Sequence, residues 1–112
     1  MVHARINEEI ELELVSPFGA EATYALVEEN RDYLSEYLTW VDETTGADVV
    51  LRNIRNALVS FANRKSADWV IKEKGSIIGR IGIRESDDEA KVYELGYWIS
   101  REKSHREKHN HG

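Results

Sequence analysis

Few side chains in this sequence have both the type and the setting to do chemistry. The first is Glu94, in "VYELGYWIS". Alternation along that stretch puts Val92, Glu94, Gly96, Trp98 and Ser100 on one face, and Tyr93, Leu95, Tyr97 and Ile99 on the other. Both faces are mostly apolar, so the stretch reads as an internal strand that carries one ionisable group. Burial raises a carboxylate's pKa and can poise it as a general base near neutrality. The competing reading is that Glu94 pairs with a Lys or Arg, or reaches the rim. Trp40, in "LTWVDE", either packs on the core or lines a pocket. Gly75, Gly79 and Gly82 do not make a phosphate loop, because no helix follows to offer its N-terminal amides. His105, His109 and His111 have a spacing that a helical metal site would accept, but the segment around them is wholly polar. It reads as a solvated tail, and no metal is expected. No Ser/His/Asp arrangement or P-loop is visible.

Composition narrows the classes further. The chain has 112 residues, enough for one small domain. Hydrophobic content is 41%, with three Trp, five Tyr and two Phe, as in ordinary globular proteins. A net charge of −6 argues against a nucleic-acid surface, which needs a basic face. There is no Cys, so disulfides and thiolate chemistry are excluded. No apolar run approaches a membrane span, and "MVHARINEEIE" has no signal-peptide core, so the expected compartment is the cytoplasm.

The elements that must position Glu94 and Trp40 follow from periodicity. "EIELELV" alternates, with Ile10, Leu12 and Leu14 opposite Glu9, Glu11 and Glu13: a strand with one wet side. From Ala20 the period becomes helical through Ala22, Leu26, Tyr33, Leu34, Tyr37 and Leu38, with a kink or break expected near Asn30. "DETTGA" is a loop offering Thr44 or Thr45 as an N-cap, with Asp48 in the first turn of the next helix. That helix carries the stripe Val50, Leu51, Ile54, Leu58 and Phe61. "ADWVIKEKGSIIGRIGI" reads as a hairpin turning at Lys74-Gly75, and Gly79 and Gly82 suggest a bulge or close backbone approach. "ESDDEAK" is a polar turn before the last strand. The order β-α-α-β-β-β predicts an α+β domain with a mostly antiparallel sheet.

Together "YLSEYLTWVDETT", "ADWVIKEKGSIIGRIGI" and "YELGYWISRE" resemble a GNAT-superfamily N-acetyltransferase, of the ribosomal-protein-serine/alanine (RimL-like) type. The resemblance runs from about Ile6 to Glu102. It implies a GNAT (acyl-CoA N-acyltransferase) fold, with acetyl-CoA as co-substrate against the last strand. Its pantetheine arm would meet the backbone of Tyr97, Trp98, Ile99 and Ser100. Glu94 corresponds to the proposed general base, and Trp40 to the lining of the acceptor pocket. The implied reaction is acetyl transfer to a primary amine, either a protein N-terminus or a small amine. Asp42, Glu43, Asp87 and Asp88 are either steering charges for a cationic acceptor or ordinary solvated loop charges.

The sequence departs from the family after "YWISRE". There the family has a glycine-rich turn that binds the CoA pyrophosphate, followed by elements that carry a general acid. Here "KSHREKHNHG" stands instead. The expectation is residues 1–102 as the N-terminal half of an acetyltransferase domain and 103–112 as a polar, disordered tail, the result of a frameshift or gene break. The alternatives are an inactive fragment or a small self-associating binding module. Exposed aromatics on the last strand predict self-association or domain swapping.

Overall fold

The computed structural model describes residues 3–87 and 91–100. Five antiparallel strands form one sheet in the order β1-β2-β3-β4-β5. They are β1 His3–Arg5, β2 Ile10–Leu14, β3 Ser66–Glu73, β4 Ser76–Asp87 and β5 Val92–Ile99. Between β2 and β3 the chain makes α1 (Ala20–Glu29), α2 (Arg31–Leu34) and α3 (Ala47–Ala62), with 3₁₀ turns at Pro17–Gly19 and Thr39–Glu43. The α+β class and the antiparallel sheet match the expectation. The short β1 adds to it.

Asn30 is where the first helix breaks. Its amide nitrogen Nδ2 donates to the Leu26 carbonyl at 2.8 Å, and its backbone N–H turns back to Leu26 and Val27 at 3.2 Å. Those carbonyls are thereby satisfied without further α-helix. The helix face that packs also differs from the expected one. Ala20, Thr23 and Val27 are buried, whereas Ala22 and Tyr37 are exposed. On α3, Val50 and Ile54 are buried as the stripe requires, Leu51 and Leu58 are half-buried, and Phe61 lies at the exposed end. Neither Thr44 nor Thr45 caps α3. Gly46 takes the N-cap position without a side-chain bond, and the Thr44 hydroxyl donates back to the Trp40 carbonyl at 3.0 Å.

The β3–β4 turn falls at Lys74-Gly75, both in the left-handed region with φ of 50° and 85°. That is the backbone of a type I′ hairpin. Ile78 is the extra residue of a β-bulge, since Ile71 pairs with Gly79 and Lys72 with Ile77. The adjoining Gly79 is obligatory, because a Cβ there would lie 2.2 Å from the Trp98 carbonyl oxygen.

Two buried clusters lie on the side of the sheet that α1 and α3 cover. One contains Val15, Ala20, Val50, Ile54 and Val70; the other contains Val27, Leu34, Val41 and Trp98. The opposite face is also apolar. By register it carries Leu12, Leu14, Trp69, Ile71, Ile81, Ile83, Leu95 and Tyr97. Leu95 and Tyr97 are each 67% exposed on it. β2 therefore differs from the half-wet strand its alternation suggests. Glu13 lies on the helix side, where it bonds Lys72 at 3.0 Å, and its apolar residues lie on the other side.

Candidate active site

Among the described residues β5 pairs with β4 alone, so it is an edge there and not the internal strand expected. Glu94 follows from this. Its carboxylate is 58% exposed, and its Oε2 accepts from Arg84 Nη2 at 2.8 Å, leaving Oε1 open. Of the two readings of Glu94, the structure has the pair with an Arg at the rim and not the apolar neighbourhood. Both faces of β5 are indeed apolar, but the Tyr93, Leu95 and Tyr97 face is open.

Trp98 points the other way. It is only 8% exposed and packs on Val27, Leu34 and Val41. Trp40 stands against it with ring centroids 6.1 Å apart at 54°. The 3₁₀ turn that presents Trp40 is pinned by Arg31, whose Nη1 and Nη2 donate to the carbonyls of Val41 at 2.7 Å and Thr44 at 2.6 Å. Arg31 also pairs with Glu28, and that hydrogen bond is the leading reason its pKa rises above the usual guanidinium value.

A cavity of about 670 Å³ opens between the C-terminal half of the sheet, α3 and this turn. It draws in Trp40, Glu94, Tyr97 and Trp98, whereas Ile99 and Ser100 are not among its walls. The sheet side of the cavity is a short grid. Across β3, β4 and β5 run Val70–Arg80–Trp98, then Asp68–Gly82–Gly96, then Ser66–Arg84–Glu94. Arg80 Nη2 lies 3.6 Å from Asp68 Oδ1, with the Arg80 side chain 14% exposed. Burial is the main influence on Arg80 and lowers its pKa, with Asp68 opposing. A guanidinium remains charged at any working pH. The helices contribute Asn53 and Asn56 from α3 and Thr23 from α1. Thr23 Oγ1 is buried without a hydrogen-bond partner among the described residues. Such a group costs about 1–3 kcal/mol until something bonds it.

Sequence reasoning missed Asp68, Arg80, Thr23 and Gly96 as parts of this cavity. Two signals were available: oppositely charged residues at diagonal positions on one face of neighbouring strands, and a glycine at the middle of an aromatic strand.

The backbone of β5 adds a second feature. The Ser100 N–H donates to the Ile78 carbonyl at 2.8 Å, so Ile99 and Gly79 form a non-hydrogen-bonded pair. Alternation then turns the backbone groups of Trp98, Gly96 and Glu94 towards β4, and those of Tyr97 and Ile99 towards the free edge. Of the four residues expected to meet a pantetheine arm through their backbone, these two alone turn amide N–H groups to that edge, unpaired among the described residues. Trp98 and Ser100 have committed theirs.

Residues 10–109 match the family model described as an acetyltransferase (GNAT) domain. The chain belongs to the GNAT acetyltransferase family. A Bacillus subtilis (strain 168) protein named "Putative ribosomal N-acetyltransferase YdaF" is 26% identical over 103 residues, covering 91% of this chain and 56% of its own length. This GNAT chain therefore spans about half the length of the curated relative it matches. Among solved structures, the RimL ribosomal L7/L12 α-N-protein acetyltransferase in complex with coenzyme A superposes with a TM-score of 0.85 at 16% identity. That match covers 90% of this chain and 57% of RimL. The microcin C7 self-immunity acetyltransferase MccE, in complex with acetyl-CoA and AMP, gives 0.81 at 24% identity, covering 86% and 53%. These likenesses establish a GNAT fold for the described strands and helices. Among the described residues no helix is long and apolar enough to cross a membrane, and no group of His, Cys, Asp or Glu is placed to hold a metal ion. His105, His109, His111 and the segment expected to replace the pyrophosphate turn lie outside the described residues.

Proposed function

We propose that the chain serves acetyl-CoA-dependent N-acetylation of a primary amine, such as the N-terminus of a ribosomal protein, in the cytoplasm. The observation that carries this is the adjacency of two features. One is the cavity holding Glu94, Trp40 and Trp98; the other is the strand edge beside it, with the free backbone groups of Tyr97 and Ile99. An extended amide-bearing arm fits that edge as an added strand would. Acetyl-CoA supplies the activated acetyl group. Glu94, with Oε1 open, takes the proton that the acceptor ammonium must lose before its nitrogen can attack. Trp40 bounds the acceptor side. Calorimetric titration of the purified chain with acetyl-CoA is expected to show saturable, micromolar binding. Absence of heat at millimolar acetyl-CoA would overturn the reading for this chain and favour a catalytically silent binding module.

The open apolar face supports a second property, self-association of this 112-residue chain with another copy. Ile83, Leu95 and Tyr97 adjoin the free edge of β5, so a second copy can bury the face and extend the sheet in one contact. Each such side chain contributes about 1.5–3 kcal/mol when fully buried. Light scattering is expected to give a mass of two chains or more, and a monodisperse monomer at high concentration would count against it.

A further inference from the structure

The grid on the cavity floor has a gap at its centre. Gly82 and Gly96 face each other across β4 and β5, between the Arg80–Asp68 pair on one side and the Arg84–Glu94 pair on the other. Side chains i and i+2 on a strand stand about 6.5–7 Å apart, so the gap is one side chain wide. A Cβ on Gly82 would come 2.6 Å from Asp68 Oδ1, so the carboxylate lies directly over bare backbone. A Cβ on Gly96 would meet nothing within 4 Å and would project into open space. The space over Gly82 is thus taken by the Asp68 carboxylate, and an open slot remains over Gly96, bordered by two carboxylates and two guanidiniums.

Its polar groups are incompletely used. Arg80 has five N–H donors, and its ion-pair partner among the described residues, Asp68, sits 3.6 Å away, too far for a short bond. Thr23, 3% exposed, lines the same cavity with its hydroxyl unpartnered among the described residues. A buried donor set beside a carboxylate suits a ligand that carries both signs of polarity within a few bonds.

We infer that Asp68 and Arg80, above the floor left bare by Gly82 and Gly96, are the binding pair for the acceptor. The inference deepens the proposed acetyl transfer by naming the residues that hold its amine substrate. Asp68 takes the ammonium. Arg80 and the Thr23 hydroxyl take an oxygen on the carbon next to the one that bears the ammonium, either a carbonyl or a carboxylate. The acceptor then lies between Trp40 and the sheet, with its nitrogen on the side of the grid that leads to Glu94.

Three small probes test this on the full chain by amide chemical-shift titration, without acetyl-CoA: L-alaninamide, isopropylamine, which lacks the oxygen, and propionamide, which lacks the amine. L-Alaninamide is expected to shift the Gly82, Gly96 and Thr23 amides saturably, with each of the other two at least about tenfold weaker, a difference of 1.4 kcal/mol. L-Alanine is run beside it, and the tighter of the two tells a free amino acid from an amidated chain end. Gly96→Ala is expected to abolish the shifts with circular dichroism unchanged, and Asp68→Asn to reduce alaninamide to the level of propionamide. Equal binding of alaninamide and isopropylamine, or full binding by folded Gly96→Ala, would overturn the inference. Slot binding without acetyl-CoA binding would sink the transfer reading and leave this one standing; the converse would do the reverse.

Discussion

Replacing Gly79 by alanine is expected to destabilise the fold by about 3 kcal/mol, near the upper end of overpacking costs. The added Cβ would stand 2.2 Å from the Trp98 oxygen, 2.9 Å from the Ile99 Cα and 3.1 Å from the Trp98 carbonyl carbon. All three are backbone atoms, so no rotamer relieves the clash. The only relief is for β5 to move off β4, and β4 is its only partner among the described strands. That movement pulls Trp98 out of its contact with Val27, Leu34 and Val41. The entropy that alanine saves in the unfolded chain, about 0.5–1 kcal/mol, is too small to offset this. For a domain of this size the midpoint of thermal unfolding should fall by roughly 12–24 °C. Gly96→Ala is the matched control, because its Cβ meets nothing within 4 Å. It should unfold at or slightly above the parent's temperature. Equal stability of the two variants would show that the β4–β5 contact is not as close as described.

The contrast between these glycines shows what sequence can carry. Gly79 was legible as a bulge or close approach, because a glycine inside an apolar strand has few other reasons to be there. Gly96 is also a glycine inside an apolar strand, yet it fills the opposite role. Only the register, which sets it against Gly82, with Asp68 one strand further on, reveals a space instead of a contact. Alternation and the Lys74-Gly75 turn were enough to place β2 to β5, since both are local signals. β1 was not legible, because three residues carry no period. Its turn is set by the Asn7 side chain, which accepts from Glu9 and Ile10 at 2.7 and 2.8 Å. The buried face of α1 was misassigned because Thr23 interrupts the apolar stripe that packs, while Ala22 and Leu26 form a rival one. For Glu94 the alternation alone left two settings open, and the structure has the Arg pair at the rim instead of the apolar neighbourhood. Two apolar faces imply an internal strand only when something covers both.

Glu94→Gln is expected to lower the rate of acetyl transfer by about 10²–10⁴-fold, the range typical of a lost general base. The prediction rests on the proposed transfer, and its strength lies in how differently the two roles of Glu94 scale. As an ion-pair partner of Arg84 it is exposed, with side-chain accessibilities of 70% and 58%, and such pairs contribute about 0–1 kcal/mol. Glutamine retains an oxygen for the Arg84 donor but cannot take up a proton at neutral pH. A structural role would therefore show as a shift of a few degrees in unfolding, with activity nearly intact. A catalytic role would show as about 3–5 kcal/mol on the barrier, with the fold and acetyl-CoA affinity unchanged. Among the described residues Asp68 is the only other carboxylate that the cavity walls place on the β3–β5 floor, so Asp68→Asn belongs in the same assay. As a binding residue its loss should raise KM more than it lowers kcat. A collapse of kcat in Asp68→Asn with Glu94→Gln active would transfer the base assignment from β5 to β3.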